Sequence, residues 1–250
     1  MTEPIAIVLA AGKGTRMKSD LPKVLARVCG RTLIEYVLDA LGAAGVRRTI
    51  AVVGYRADDV RQAVRHVVGV EFALQTEQRG TGHAVMMCRD AIQDFRGPVV
   101  VVTGDSPMLQ VDSLRELLDE FNESGAACVM GTLVHQHPAG LGRIVRDKNG
   151  KFAGIVEEKD ATDEQRLIHE VNMSTYVFDC QRLIECLDRL TNGNRQGEYY
   201  ITDVPGIMLS RGWDVRARAV LKPCEALSVN TVEDLGLVEQ EIKRRQSADA

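Results

Sequence analysis

Leu9-Ala10-Ala11-Gly12-Lys13-Gly14-Thr15-Arg16-Met17 is the stretch from which the rest of the chain can be read. It follows Ile5-Ala6-Ile7-Val8, a short apolar run with the texture of a buried parallel strand. After it come Asp20-Leu21-Pro22-Lys23, and only then a helical pattern. A strand that empties into a small, glycine-bearing, cationic loop suits a phosphate chain. Gly12 and Gly14 carry no side chain, so backbone N–H groups can approach phosphate oxygens directly. Arg16 supplies a fixed charge and a donor fork, while Lys13 and Lys23 supply mobile point charges. The loop is not a Walker A motif, and Met17 stands where the third glycine of G-x-G-x-x-G would be. The plain alternative is a tight strand-to-helix connection; the nearby Arg16 and Lys23 weigh toward phosphate.

Outward from the loop, residues 32–44 have helical spacing, with Leu33, Val37, Leu38 and Leu41 on one face. A strand is predicted over 49–53, a helix over 57–68 with Val60, Val64 and Val67 inward, and a strand over 70–74. This β-α-β-α-β order points to a parallel sheet wound with right-handed crossovers. Next comes Gln75-Thr76-Glu77-Gln78-Arg79-Gly80-Thr81-Gly82-His83-Ala84, at the end of a strand, where open α/β sheets bind ligands. A helix over 82–92 is expected after it. Its two glutamines can pair with an amide-like edge such as a pyrimidine base. A solvated loop accounts for the composition equally well. His83 reads as a structural donor rather than a base.

Val99-Val100-Val101-Val102 is the strongest strand and runs straight into Thr103-Gly104-Asp105. An acid at the end of a central strand is placed to hold Mg²⁺ beside phosphates. Capping of the next helix by Asp105 fits less well, because the helical pattern begins only near Val111. From Cys128 the texture changes to a strand over 129–134, a loop and strand over 140–145 and a strand over 152–156, with an Asn149-Gly150 hairpin turn. The charged run 157–170 reads as an exposed arm or flap. A strand over 171–178, helices over 181–190 and 204–210 and a strand over 214–219 follow. Thr231 caps a final helix to about Gln246, and the last four residues fray. His135 and His137 have strand spacing but no third ligand, which makes a surface loop the better reading.

The 250 residues carry a net charge of −4, so no general nucleic-acid surface is expected and the cationic loop stands out. Aromatic residues are only 4% of the chain, which argues against stacking platforms for single strands. Six scattered cysteines without C-x-x-C read as reduced core thiols. No apolar run approaches the roughly 20 residues that span a bilayer, and the start lacks a basic signal region. The expected address is the cytoplasm, with neither membrane nor nucleic acid as partner. Nothing in the sequence sets an oligomeric state.

Taken together, 9–17, Leu21-Pro22-Lys23, 75–84, Gly104-Asp105, Gly142-Arg143-Ile144, 157–162, Asn172, 197–203 and Asn230 resemble one family. It is the sugar-phosphate nucleotidylyltransferases, and within it the bacterial uridylyltransferases that act on N-acetylglucosamine 1-phosphate. The likeness runs from Ile5 to about Leu235; segments 75–84, 156–166 and 196–203 are its most specific parts.

The resemblance implies an α/β, Rossmann-like nucleotide-diphospho-sugar transferase fold. Its mixed, mostly parallel central sheet would be flanked by helices, with a smaller β-rich sugar-binding part. One nucleotidyltransferase domain is implied over 1–235, with a nucleotide-binding half over about 1–125 and a sugar-binding half over about 126–235. A C-terminal helix and tail would occupy 231–250. The implied reaction transfers UMP from UTP to a sugar 1-phosphate, N-acetyl-α-D-glucosamine 1-phosphate, with Mg²⁺ as cofactor. Arg16 and Lys23 match the family's catalytic pair. Leu9, Ala10, Ala11, Gly12, Gln75, Gly80 and Thr81 match its nucleotide contacts, and Gly142, Glu157 and Asn172 its sugar contacts. Asp105 and Asn230 match its Mg²⁺ ligands.

In-line attack on the α-phosphorus needs no protein nucleophile, so positioning and charge neutralisation carry the catalysis. Three positions depart from the family pattern: Thr103 for a tyrosine, Leu141 for an aromatic residue, and Asn172-Met173-Ser174 for Asn-Thr-Gly. They cluster where the sugar would sit and leave its identity open. The acetyltransferase β-helix of bifunctional members is not expected, because no hexapeptide periodicity is present; acetyltransferase activity is accordingly not expected either.

Overall fold

β1 (Ile5–Ala10) is buried on both faces, with Ala6, Ile7 and Val8 fully enclosed, because strands run beside it on both edges and helices cover both sides. The computed structural model describes residues 2–17 and 19–248. After β1 come two short 3-10 turns, a ribbon of β2 (Arg27–Val28) and β3 (Arg31–Thr32), and α1 (Leu33–Ala43). The first half continues with β4 (Arg48–Val53), α2 (Ala57–Val64), β5 (Val70–Leu74), α3 (Thr81–Met86), α4 (Arg89–Ile92), β6 (Pro98–Thr103) and α5 (Val111–Ser124). The second half supplies β7 (Cys128–Val134), β8 (Gly142–Arg146), β9 (Phe152–Val156), α6 (Asp163–Arg166) and β10 (Glu170–Asp179). It ends with α7 (Cys180–Leu187), α8 (Val204–Ser210), β11 (Val215–Arg218) and α9 (Val232–Ala248).

The main sheet has the order β11-β7-β10-β6-β1-β4-β5, with β8 and β9 attached beside β10. β1 pairs in parallel with β4 and β6, and β4 with β5. β10 enters antiparallel between β6 and β7, which makes the sheet mixed but mostly parallel, as expected. Alternation sets the two cores. Ile5, Ile7, Val99 and Val101 pack under α3, α7 and α8. Ala6, Val8, Val100 and Val102 pack under α1, α2 and α5. Each fully buried Val or Ile contributes about 1.5–3 kcal/mol, so this doubly covered valine ladder fixes the sheet centre. A third, smaller cluster seats Val238 and Ile242 of α9 on Met17, Val28 and Leu33, which ties the last helix to the chain just after the cationic loop.

Several expected boundaries move. The helix read over 82–92 breaks into α3 and α4, where Met87 and Cys88 donate to carbonyls three residues back and tighten the turn. α2 stops at Val64, leaving Val67 partly buried and Val68 almost fully exposed. The run 157–170 is not a free flap. Ala161 is buried, Thr162 and Gln165 form a reciprocal cap for α6, and Glu158 accepts hydrogen bonds from Arg143 and the Gly140 amide. Part of its charge is held by arginines rather than by water alone, while Asp163, Glu164 and the apolar Leu167 stand exposed. The fraying expected at the end is met instead by helix through Ala248, while residues 249 and 250 lie outside the described residues.

Candidate active site

The ends of β1 and β6 are locked together: the Gly104 amide donates to the Leu9 carbonyl at 2.9 Å. This sets Asp105 beside the loop that leaves β1. That loop tightens into a 3-10 turn at Thr15–Met17, and a second turn at Lys23–Leu25 returns Lys23 beneath it. The return needs glycine at position 14. Its φ is +69°, and a Cβ there would lie 2.6 Å from Lys23 Cβ, so any other residue would displace the lysine stem.

Lys23 Nζ forms an ion pair with Asp105 Oδ2 and donates to Asn230 Oδ1 at 2.8 Å. Arg16 donates to the same Asn230 oxygen at 2.8 Å. Asn230 is brought here by the Val229 amide, which donates to the Asp105 carbonyl at 3.3 Å. Asp234 of α9 then accepts from the Asn230 and Thr231 amides, both at 2.8 Å, and caps its own helix. The Asn230 amide nitrogen turns to Ser228 Oγ, which leaves its oxygen facing the cations.

Asp105 and Asn230 therefore present two hard oxygen donors to one positive centre, a set that fits Mg²⁺. Among the described residues no three His, Cys, Asp or Glu side chains gather into a metal cage. Mg²⁺ bound by one or two protein oxygens would complete its shell with phosphate and water.

A cleft of about 270 Å³ opens beside this cluster. Leu9, Ala11, Gly12, Lys23, Gln75, Gly80, Thr81 and Asp105 all line it, so most of the expected nucleotide and phosphate residues share one wall. Ala10 is the exception: its side chain is buried in the core beneath. Arg16 is exposed and reaches the cluster through Asn230.

Gly80 adopts φ +106°, and a Cβ on it would lie 2.5 Å from the Tyr199 carbonyl oxygen. Segment 198–202 thus presses on the glycine loop; the Gly82 amide donates to that same Tyr199 oxygen at 2.7 Å. The contact delivers Glu198, which also lines the cleft and had no role in the sequence reading beyond its motif. Gln78 and Thr103 line it too. Gln78 donates to the Ala11 carbonyl at 2.8 Å and bridges segment 75–84 to the loop after β1. The paired glutamines were its signal in the sequence. Thr103 Oγ1 lies 2.7 Å from Ser106 Oγ.

The three expected sugar residues also meet. A Cβ placed on Gly142 would lie 3.6 Å from both Asn172 Cβ and Glu157 Oε1. Asn172 is buried; its amide donates to the Tyr176 hydroxyl at 2.7 Å, and its oxygen accepts from the Ser174 amide at 3.3 Å. A bulge in β10 and a left-handed Ser174, φ +53°, shape that turn. Thr202 donates to Glu157 Oε1 at 2.9 Å. Burial pushes the Glu157 carboxyl above its ordinary range, the Thr202 bond opposes this, and Asp203, Asp160 and Glu198 add to the rise. Asp203 is likewise raised, by burial first and by Asp160 second. Thr202 lies within the 197–203 motif, and its pairing with Glu157 has no local signal in the sequence.

Residues 6–172 match the family model described as the MobA-like NTP transferase domain. The bifunctional protein GlmU of Streptococcus gordonii is 44% identical over 241 residues, covering 96% of this chain and 52% of the relative. The bifunctional protein GlmU of Limosilactobacillus fermentum is 46% identical over 230 residues, with coverages of 92% and 50%. The chain thus spans about half the length of the curated relatives it matches. A crystal structure of a UDP-glucose pyrophosphorylase complexed with UDP-glucose superposes with a TM-score of 0.76 at 16% identity, covering 98% of this chain and 100% of that one. That likeness speaks to the fold: a nucleotide-diphospho-sugar transferase sheet.

Proposed function

This chain belongs to the MobA-like NTP transferase domain family, and from that premise we propose that it transfers UMP from UTP to N-acetyl-α-D-glucosamine 1-phosphate, releasing pyrophosphate and UDP-N-acetylglucosamine. The observation that carries the reading is the convergence of Arg16, Lys23, Asp105 and Asn230 beside a cleft lined by Gln75, Gly80 and Thr81. The alignment of GlmU proteins with nearly the whole chain supports this substrate pair.

Loop amides from Leu9 to Gly12 receive the phosphate chain. Lys23, drawn off Asp105 and Asn230, offsets the charge that builds as the sugar phosphate oxygen attacks the α-phosphorus. Arg16 steadies the leaving pyrophosphate. Asp105 and Asn230 would hold Mg²⁺, which when bound neutralises charge on phosphate oxygens. Gln75, Gly80 and Thr81 seat the uracil; Gly142, Glu157 and Asn172 receive the sugar. The nucleotide falls to the half over about 1–125 and the sugar to the half over about 126–235. Catalysis is positioning and electrostatics throughout.

The six cysteines are free thiols, which suits the cytoplasm. There the product would supply cell-wall precursor synthesis. Among the described residues no helix is long and apolar enough to cross a membrane.

A second reading keeps the chemistry and changes the acceptor to another hexose or hexosamine 1-phosphate. Thr103, Leu141 and Met173 favour it, as does an Asn172 amide already held by Tyr176 and Ser174. Pyrophosphate release with UTP, Mg²⁺ and a panel of sugar 1-phosphates decides. The expected result is fastest turnover with N-acetylglucosamine 1-phosphate. Turnover with a different sugar and none with that one establishes the second reading, and none with any sugar overturns both.

A further inference from the structure

Gln75 is buried at the cleft wall, only 3% exposed, and its amide is fixed in one sense. The amide nitrogen lies 3.1 Å from the Gly80 carbonyl oxygen and 3.1 Å from His83 Nδ1. A carbonyl only accepts, so the Gly80 contact places Nε2, and not Oε1, on that side. Both of its N–H bonds are then used. His83 Nδ1 must offer a lone pair, with the ring proton on Nε2. His83 is therefore an acceptor here, not the donor expected from the sequence. Oε1 has no hydrogen-bond partner among the described residues and is not sealed from solvent, so it is the polar atom that Gln75 turns to the cleft.

We propose that His83 is a positioning residue for base selection, which holds Gln75 so that Oε1 meets the base as an acceptor. The inference rests on the uridylyltransferase reading of this cleft. A uracil-type ring, which presents an imide N–H, satisfies Oε1. A cytosine ring presents a lone pair at the equivalent nitrogen and leaves two acceptors face to face. An unsatisfied pair of this kind in a buried site disfavours the wrong base by about tenfold to a hundredfold. The Gly80 bond sets the sense of the amide, and the His83 bond consumes its second N–H, so that Oε1 is what remains for the base. Without the His83 acceptor that N–H is free, and the amide can turn it to the base as a donor. The ring of His83 is itself braced, its centroid 6.3 Å from that of Tyr199, whose backbone clamps the glycine loop.

The test compares kcat/KM for UTP and CTP, by pyrophosphate release, in the unchanged chain, His83→Leu and His83→Asn. The UTP preference should fall about tenfold or more in His83→Leu. It should return to within about threefold of the parent in His83→Asn, whose Oδ1 can take the Nδ1 role. An unchanged preference in His83→Leu, or an equal fall in both variants, overturns the proposal. A second measurement needs no variant: histidine ¹⁵N spectra of the unchanged chain should show His83 as the neutral Nε2–H tautomer, and an Nδ1–H tautomer overturns the proposal. Parent turnover of UTP with no change of preference in the variants defeats this inference alone; no parent turnover of UTP defeats the reading beneath it as well.

Discussion

At the proposed phosphate end of the cleft, Lys23 and Asp105 are paired with 14% and 21% of their side chains exposed, and Arg16 shares Asn230 with Lys23. At the proposed sugar end, Asn172 is held by the Tyr176 hydroxyl and the Ser174 amide, and the half-buried Glu157 accepts from Thr202. The first region is a set of opposite charges that neutralise one another and can exchange partners. The second is a set of short groups already satisfied, around an acid whose ionisation burial opposes. Long cations on turns can release one oxygen ligand for another at small cost when an anionic ligand takes the place of the partner they leave. Asn172, buried beside the β10 bulge, cannot shift without disturbing that bulge. The phosphate end should therefore respond to charge, and the sugar end to shape and pH.

The largest break is expected at Asp105. Asp105→Asn removes the carboxylate paired with Lys23 and should lower kcat/KM by about 10²–10³. The melting temperature should scarcely move, since the pair it breaks is partly exposed. Pyrophosphate release and thermal unfolding measured together check this, and near-parent turnover would remove Asp105 from the reacting centre.

Arg16→Ala comes next, with about a hundredfold fall in kcat and a smaller rise in KM for UTP, since its charge acts on the developing pyrophosphate. A loss confined to KM would make Arg16 a ground-state contact, and the phosphate end would then be a grip rather than a neutralising cluster.

The two ends also differ in how far the sequence revealed them. The valine run 99–102 and the alternating Ile5–Ala10 segment announce doubly covered strands, because burial on both faces leaves only apolar residues. Asp105 was legible for the same reason: it stands where that run stops. Asn230 was reachable only by family resemblance, because it meets Arg16 across 214 positions of chain through a Val229–Asp105 backbone bond that no local pattern encodes. Thr202 and Glu198 carry no local signal, since Glu198 reaches the cleft beside the Tyr199–Gly80 contact and Thr202 meets Glu157 across 45 positions of chain. The 157–170 run misled because charge density reads as solvation, whereas here Arg143, itself buried, holds Glu158 at 2.7 Å. The break between α3 and α4 was hidden as well, because Cys88 is as apolar as a continuing helix would require.

The smallest effect sharpens the comparison most. Glu157→Gln keeps the oxygen that accepts from Thr202 and removes the charge. In the folded chain burial raises the Glu157 carboxyl above its unfolded value. Protonation therefore favours folding. The contribution of the group is greatest at low pH and is lost as pH rises through the ordinary carboxylate range to the raised folded value. The variant should then melt at or above the parent at pH 8, and the difference should close as pH falls toward about 4. At pH 8 its KM for the sugar 1-phosphate should rise about tenfold, the scale of one charge-assisted hydrogen bond, and this difference should narrow with falling pH as the parent carboxyl protonates, while KM for UTP holds. Melting curves at several pH values, with both KM values measured on the same samples, carry the test. A variant less stable than the parent at pH 8 would mean that the ionised carboxylate is held more tightly than burial opposes it. Glu157 would then belong with the exchangeable charges of the phosphate end, and the contrast between the two ends would reduce to one of side-chain length.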